Sequence, residues 1–337
     1  MEAYVRNLWY MAAWAEEVPD AGSMVRTLLD ESWLLLRLED GNYAMLRNKC
    51  PHRLAPLSRG KREGDVIFCG YHGLGFDALG QCVHNAFGSQ IPPGAKVSTM
   101  PIVERHSALW FWPGDKIMAD PALIPDFSFV EGPAPHQRAH LTMQANYELV
   151  TDNLMDLSHA EFLHVKTFGV NGSLFGGKHS VKRDHTGAVW NNWDIDQSKP
   201  PEWSKPMLDG ATTVDQWLHM RWHAPASMAL SIGIAKSGTS REELIVPPML
   251  NPHIITPETG RSSHYFYTSD PGEEAAELAR RVFIEEDEPM IEAIQQALGD
   301  HDLWAANPIS MPSDAGAIRA RRELTKMRQA ASAALAE

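Results

Sequence analysis

Two short loops constrain this chain more than anything else in it: Cys50-Pro51-His52 and, sixteen residues later, Cys69-Gly70-Tyr71-His72. Thiolate and imidazole are metal ligands, and this C-x-H…C-x-x-H set can serve two kinds of centre. One is a tetrahedral zinc. The other is a [2Fe-2S] cluster whose first iron takes both Cys and whose second takes both His. Each loop offers one Cys and one His, and so can give one ligand to each iron, which favours the cluster. A zinc knuckle more often pairs like ligands within a loop. Gly70 and Gly73 let main-chain amides come close to cluster sulfurs, and Pro51 stiffens its loop. Histidine ligation raises the potential of such a cluster to roughly −150 to +300 mV, which suits a one-electron relay. Cys82 matches neither loop and reads as a buried thiol.

At 337 residues, and with roughly 150 residues per domain, two domains are expected. The chain is 44% hydrophobic and 22% charged and holds three Cys, so its cores need no disulfide staples. Two of the Cys stand beside His, which points to metal in a reducing compartment. The formal charge of −13 argues against nucleic acid or an anionic membrane as partner, since both need clustered Lys and Arg. No stretch approaches the ~20 apolar residues of a membrane helix. Asn7 to Ala15 is apolar but short, aromatic and preceded by Glu2 as well as Arg6, unlike an export signal. The expected location is cytoplasmic.

Strand-like runs punctuated by Gly, Pro and Asn fill the first part of the chain: Ser32 to Leu38, Tyr43 to Arg47, Asp65 to Cys69 and Ala108 to Trp112. Pro121 and Pro125 mark a linker. Beyond residue 140 come a helix-like segment from Thr151 to His164 and strands at Gln216 to Trp222, Met228 to Ile234 and His264 to Thr268. A long helical pattern over Gly272 to Leu298 and a terminal helix over Ala315 to Ala336 follow. The pattern predicts an α+β protein, with an all-β domain over residues 1–115 and an α+β domain over 116–337.

A second constellation lies in the later domain. At ~100° per residue, Asp152, Asp156 and His159 share a narrow sector of a helix, flanked by Asn153. His164 falls well away from His159 on an ideal helix, so the two can meet one ion only if the helix unwinds or bulges between them, as at functional π-bulges. The competing reading is a capped helix with two half-buried His. Asp287 supplies the third candidate. Phe283, Ile284, Met290, Ile291, Ile294 and Leu298 form an apolar stripe with Asp287 at its centre, where a carboxylate needs a charge partner or a metal. Two His and one carboxylate make the facial set that holds non-haem Fe(II) with positions open for O2, so His159, His164 and Asp287 are assigned as iron ligands.

Taken in order, these motifs resemble the Rieske non-haem iron oxygenases, most closely the vanillate O-demethylase and dicamba monooxygenase group. The resemblance rests on Asn7-Leu8-Trp9-Tyr10, Cys50-Pro51-His52-Arg53, Cys69-Gly70-Tyr71-His72-Gly73-Leu74 and Glu104-Arg105. It continues through Trp110-Phe111-Trp112-Pro113-Gly114-Asp115, Asp152-Asn153-Leu154-Met155-Asp156-Leu157 with His159 and His164, Ile255-Thr256-Pro257-Glu258-Thr259, and Glu286-Asp287 ahead of Glu292-Ala293-Ile294. It implies a Rieske [2Fe-2S] domain, a helix-grip catalytic domain with an antiparallel sheet, and a head-to-tail homotrimer. It further implies that Asp156 bridges the two metal sites across a subunit boundary, from a cluster His (His72) to an iron His (His159), and that Asn153 lies beside the iron. His223 and His253 fall where relatives place polar substrate contacts, in altered surroundings such as Trp222-His223-Ala224-Pro225.

The implied activity is that of the oxygenase component of a multicomponent monooxygenase. A reductase or ferredoxin passes it electrons from NAD(P)H, and it uses O2 to hydroxylate or O-demethylate a small aromatic, acidic substrate. Ring hydroxylation, N-demethylation, an electron carrier without catalysis and a zinc-based structural protein are the competing readings.

Overall fold

The computed structural model describes residues 4–20, 22–131 and 137–334, with side chains as far as residue 331. It divides into two compact units, one holding Tyr4–Asp126 and Thr256–Thr259, the other Phe127–Ile255 and Gly260–Glu337.

Among the described residues the first unit has eleven strands: β1 (Tyr10–Trp14), β2 (Ser23–Leu28), β3 (Glu31–Arg37), β4 (Tyr43–Arg47), β5 (Lys61–Glu63), β6 (Val66–Phe68), β7 (Gly75–Phe76), β8 (Cys82–His84), β9 (Thr99–Met100), β10 (Ile102–Arg105) and β11 (Ala108–Phe111). They form three antiparallel sheets, ordered β1-β11-β10, β2-β3-β4-β9 and β5-β6-β7-β8. The unbroken apolar run Trp33-Leu34-Leu35-Leu36 on β3 has a direct cause: this strand is buried on both faces. Leu34 and Leu36 join a core containing Cys50, Cys69, Ile67 and Phe76. Trp33 and Leu35 turn into a second core with Tyr10, Leu109 and Phe111.

This unit reaches Asp126, past the boundary expected at residue 115. The segment read as a linker instead forms two 3-10 turns, Lys116–Met118 and Pro121–Leu123, the second opened by Pro121, capped by the Asp115 and Asp120 carboxylates. The Trp9 indole N–H donates to the Asp120 carbonyl at 2.8 Å, which folds the segment onto the unit.

In the second unit a seven-stranded sheet carries the helices. Its strands are β12 (Gln137–Met143), β13 (Lys178–Arg183), β14 (Val189–Ser198), β15 (Val214–His223), β16 (Ser227–Lys236), β17 (Leu244–Thr259) and β18 (Ser262–Ser269), ordered β12-β18-β17-β16-β15-β14-β13. The helices are α1 (Tyr147–Met155), α2 (Glu273–Arg280), α3 (Glu288–Leu298) and α4 (Ala315–Ala334). Ala336, the expected end of the last helix, lies outside the described residues.

Two helical expectations are corrected. The segment Thr151 to His164 is not one helix: α1 stops at Met155, Asp156 leaves helical geometry (φ −115°, ψ 86°), and a 3-10 turn, Leu157–Glu161, follows. The chain thus leaves the helix between His159 and His164, where unwinding was required; the long helix expected over Gly272 to Leu298 is instead interrupted by a π-helical stretch, Arg281–Asp287, that joins α2 to α3. Pro289 explains it. Proline cannot donate to the carbonyl one turn back, and its ring crowds that carbonyl; widening the preceding turn relieves both.

Candidate metal centres

The two cluster loops fold alike. Cys50 N–H donates to the Ala55 carbonyl at 2.9 Å and Cys69 N–H to the Leu74 carbonyl at 2.8 Å, while Leu54 and Gly73 N–H return to the Cys50 and Cys69 carbonyls, both at 2.9 Å. The matching fourth residues, Leu54 and Gly73, both take positive φ, 61° and 71°. At the second loop's hairpin, a Cβ on Gly70 would stand 2.7 Å from the Arg59 carbonyl oxygen, so only glycine fits there.

Cys50 and Cys69 are buried and their thiols adjoin, with burial pushing the Cys50 thiol pKa up. The His52 and His72 rings pack together at 4.5 Å between centroids. Sulfur thus meets sulfur and imidazole meets imidazole. Among the described residues, the four donors do not gather around one point as His159, His164 and Asp287 do. A binuclear cluster needs this two-and-two division, and a tetrahedral zinc does not. Nδ1 of His72 is buried with no partner, a donor that fits a metal bond. Cys82 is half-buried and reaches the His84 carbonyl at 3.4 Å, apart from the cluster ligands.

In the second unit His159, His164 and Asp287 do converge, their ligand atoms lying within 4.8 Å of one another. His159 Nε2 is 3.2 Å from His164 Nε2, and Asp287 Oδ1 lies 3.6 and 3.4 Å from these two nitrogens. Donors about 2.1 Å from one metal at right angles stand about 3 Å apart, so the three fit one face of an octahedron. Asp287 is buried at 3% exposure. Its carboxylate accepts from the Asn153 amide at 3.3 Å, and the Asn153 Oδ1 is buried and unpartnered, which leaves it free to face an ion.

Each imidazole is held from behind, and the two are held differently. His159 Nδ1 meets the main-chain carbonyl of Asp156. His164 Nδ1 meets the Glu286 carboxylate at 2.8 Å, and the Thr167 hydroxyl donates to that same oxygen at 2.6 Å. Burial keeps the His159 pKa below its usual value. For His164 burial acts the same way, but hydrogen bonds and charge from Asp287 and Glu286 outweigh it and raise the pKa. Glu286 was quoted within a motif of the sequence but given no role. Its signal was its place directly before a ligand, within a run of acids that otherwise reads as a solvated helix face.

Asp156 departs from the expected carboxylate–imidazole contact within the chain. Its Oδ1 caps the 3-10 turn, accepting from the Ser158 amide at 3.0 Å and hydroxyl at 2.6 Å, and only its main-chain oxygen meets His159. The helix end before it is anchored by Asn191 of β14, whose amide donates to the Met155 carbonyl at 2.6 Å. This satisfies one of the carbonyls that a helix C-terminus leaves open.

Sheet register separates the two expected substrate contacts. Trp222 pairs with Met228 and Met228 with His253, so these three share a face, and His253 there meets the Phe283 ring of the π-helical stretch at 5.7 Å. His223, the neighbour of Trp222, points to the opposite face, with the Arg221 charge. It is not brought to the metal-ligand side, because side chains alternate along a strand. His253 Nδ1 bonds the Tyr265 hydroxyl at 2.6 Å, its Nε2 is buried without a partner, and burial drives its pKa down to about 4. Asn251, two residues earlier, shares this face by the same register.

Residues 8–100 match the Rieske [2Fe-2S] domain family and residues 143–330 the vanillate O-demethylase oxygenase C-terminal domain family. With both metal-binding geometries in place, the chain belongs to the Rieske non-haem iron oxygenases. It is an oxygenase component, whose cofactors are a [2Fe-2S] cluster and a mononuclear non-haem iron. It is 36% identical to the dicamba O-demethylase oxygenase component of Stenotrophomonas maltophilia, over 97% of this chain and 98% of that one. It is 33% identical to the chloroacetanilide N-alkylformylase oxygenase component of Rhizorhabdus wittichii, over 95% and 94%. The crystal structure of dicamba monooxygenase with non-haem iron and dicamba superposes with a TM-score of 0.80 at 35% identity, covering 98% of this chain and 99% of that one. No helix among the described residues is long and apolar enough to cross a membrane.

Proposed function

We propose that this oxygenase component O-demethylates a small aromatic acid in the cytoplasm, on NAD(P)H electrons delivered by a reductase or ferredoxin. Cys50, His52, Cys69 and His72 hold the cluster, and His159, His164 and Asp287 hold the iron. The convergence of those last three donors, with both His fixed through Nδ1, carries the reading. Bound there, the iron supplies reduction of O2 and transfer of one oxygen atom to the substrate.

The chain's own residues do the rest. Asn153 braces Asp287 and offers its free carbonyl beside the ion. His253 stays neutral at ordinary pH. If the protonated Tyr265 hydroxyl donates to Nδ1, Nε2 carries the proton and donates into the pocket, where the carboxylate of an aromatic acid is a fitting acceptor. Met228 and Phe283 supply the apolar walls that hold a ring.

A groove of about 550 Å³ opens beside Asn153, Asp156 and His159, walled by Met290, Ile294, Trp304 and Ile309. Leu54, Tyr71 and Phe87 are exposed near the cluster loops. Apolar surface of this kind marks a binding face, and it supports a head-to-tail homotrimer in which the cluster loops of one copy enter the groove of the next. Asp156, with one carboxylate oxygen still open, then receives His72 of the neighbouring copy, so that one residue touches both metal sites.

The reading is tested with methoxylated aromatic acids and a surrogate reductase, following NADH, O2 and formaldehyde together. Formaldehyde should form in step with NADH consumption. The His159→Ala variant should lose turnover and keep the cluster spectrum, while Cys69→Ala should lose the spectrum itself. Turnover without formaldehyde and with a cis-diol product would replace demethylation by ring oxidation. An iron content of about two rather than three per chain would mean an electron carrier without a catalytic iron.

A further inference from the structure

We propose that Glu286 is a positioning residue for the iron, fixing and polarising His164 while supplying the second negative charge that a divalent ion needs in a buried site. The inference rests on the iron-ligand assignment above and goes beyond it.

Three observations carry it. First, one Glu286 oxygen takes two donors, His164 Nδ1 at 2.8 Å and the Thr167 hydroxyl at 2.6 Å. With the Nε2 of His164 turned toward Asp287 and His159, Nδ1 carries the proton and donates it. Second, the Glu286 side chain is only 18% exposed, so it is not a solvated helix acid. Third, the arrangement is one-sided, because His159 leans on a neutral carbonyl. A carboxylate behind an imidazole fixes its tautomer and its direction and raises its basicity toward the metal. Asp287 and Glu286 together carry two negative charges, which match a divalent ion, and a buried charge is costly unless matched. His164 is therefore the stronger imidazole donor of the two, and Thr167 holds the acid in place.

Fe(II) affinity is measured without O2 by competition with a chromogenic chelator, on protein that retains its cluster. Cobalt(II) serves as a second probe, read by its ligand-field absorption. The Glu286→Ala variant should bind Fe(II) about 10- to 100-fold more weakly with the cluster spectrum unchanged, the usual loss when such an outer partner is removed. Glu286→Gln keeps an acceptor but not the charge. It should lose less affinity, yet its saturated cobalt spectrum should shift from the parent's, which a purely structural role would not cause. Thr167→Val should move in the same direction as Glu286→Gln. The proposal is overturned if the alanine variant keeps Fe(II) affinity within about twofold of the parent, or if the glutamine variant leaves the cobalt spectrum unshifted. A parent protein that binds neither Fe(II) nor Co(II) would instead overturn the ligand assignment itself.

Discussion

His253 shows how a single buried residue ties the pocket to solution conditions. Its imidazole is held neutral by burial, with a pKa near 4 against the usual 6.5. The unfolded chain binds a proton there as pH falls through roughly 6.5, and the folded chain does not until about 4, so folding stability drops across that window. The full penalty is about 3 kcal/mol. Urea unfolding of the parent and of His253→Gln through this range should show the parent losing more stability on acidification. Equal losses would mean that the ring is not buried neutral.

At the scale of elements, α1, which carries Asn153 beside the proposed iron ligands, is held against α4. Arg321 of α4 is 4% exposed; its guanidinium grips the Asp152 carboxylate at 2.7 Å and reaches Glu148 at 3.1 Å, both on α1. Arg321→Ala would leave the Asp152 carboxylate without its cation, while Glu148 keeps Arg328, at a cost of about 3 kcal/mol. Lys326→Ala, at a solvated position on the same helix, should cost less than about 0.5 kcal/mol. Denaturant midpoints decide between them, and equal shifts would deny α4 this role.

The elements also show what a sequence can and cannot express. Tyr43 to Arg47 was legible to the residue, and the cluster loops were plain from ligand spacing, because local chemistry determines both. β17 was hidden, since Pro247, Pro248, Pro252 and Pro257 all argue against a ladder strand. β16 meets it with register shifts near Ile234. The geometry at His159 and His164 required an irregular helix, and the sequence placed that irregularity between them, but it did not show the π-helical stretch before α3. Pro289 was visible, but the effect of one proline on the turn before it depends on what packs there. Glu286 was named but its role was not legible, because its partners, His164 and Thr167, lie more than a hundred residues away.

For the whole molecule, a groove with Trp304 and Ile309 on its walls is costly to leave in water. Placing a charge there, as in Ile309→Glu, should weaken each copy-to-copy contact by about 2 kcal/mol or more. Sedimentation should show the parent as a trimer and the variant as smaller species. The variant's cluster should still accept electrons from the reductase, but product formation should cease. A parent that sediments as a monomer while turning over normally would rule out electron passage between copies.

Phe283, Glu286 and Asp287 all stand on the same wide helical turn. One peptide unit joins Asp287, the proposed iron ligand, to Glu286, which bonds His164, and the Phe283 ring, packed against His253, lies four residues upstream of Asp287. On the proposed ligand set, a displacement of that turn reaches Asp287 directly and His164 through Glu286. A molecule that presses on the Phe283 ring would then act on two of the three proposed corners together.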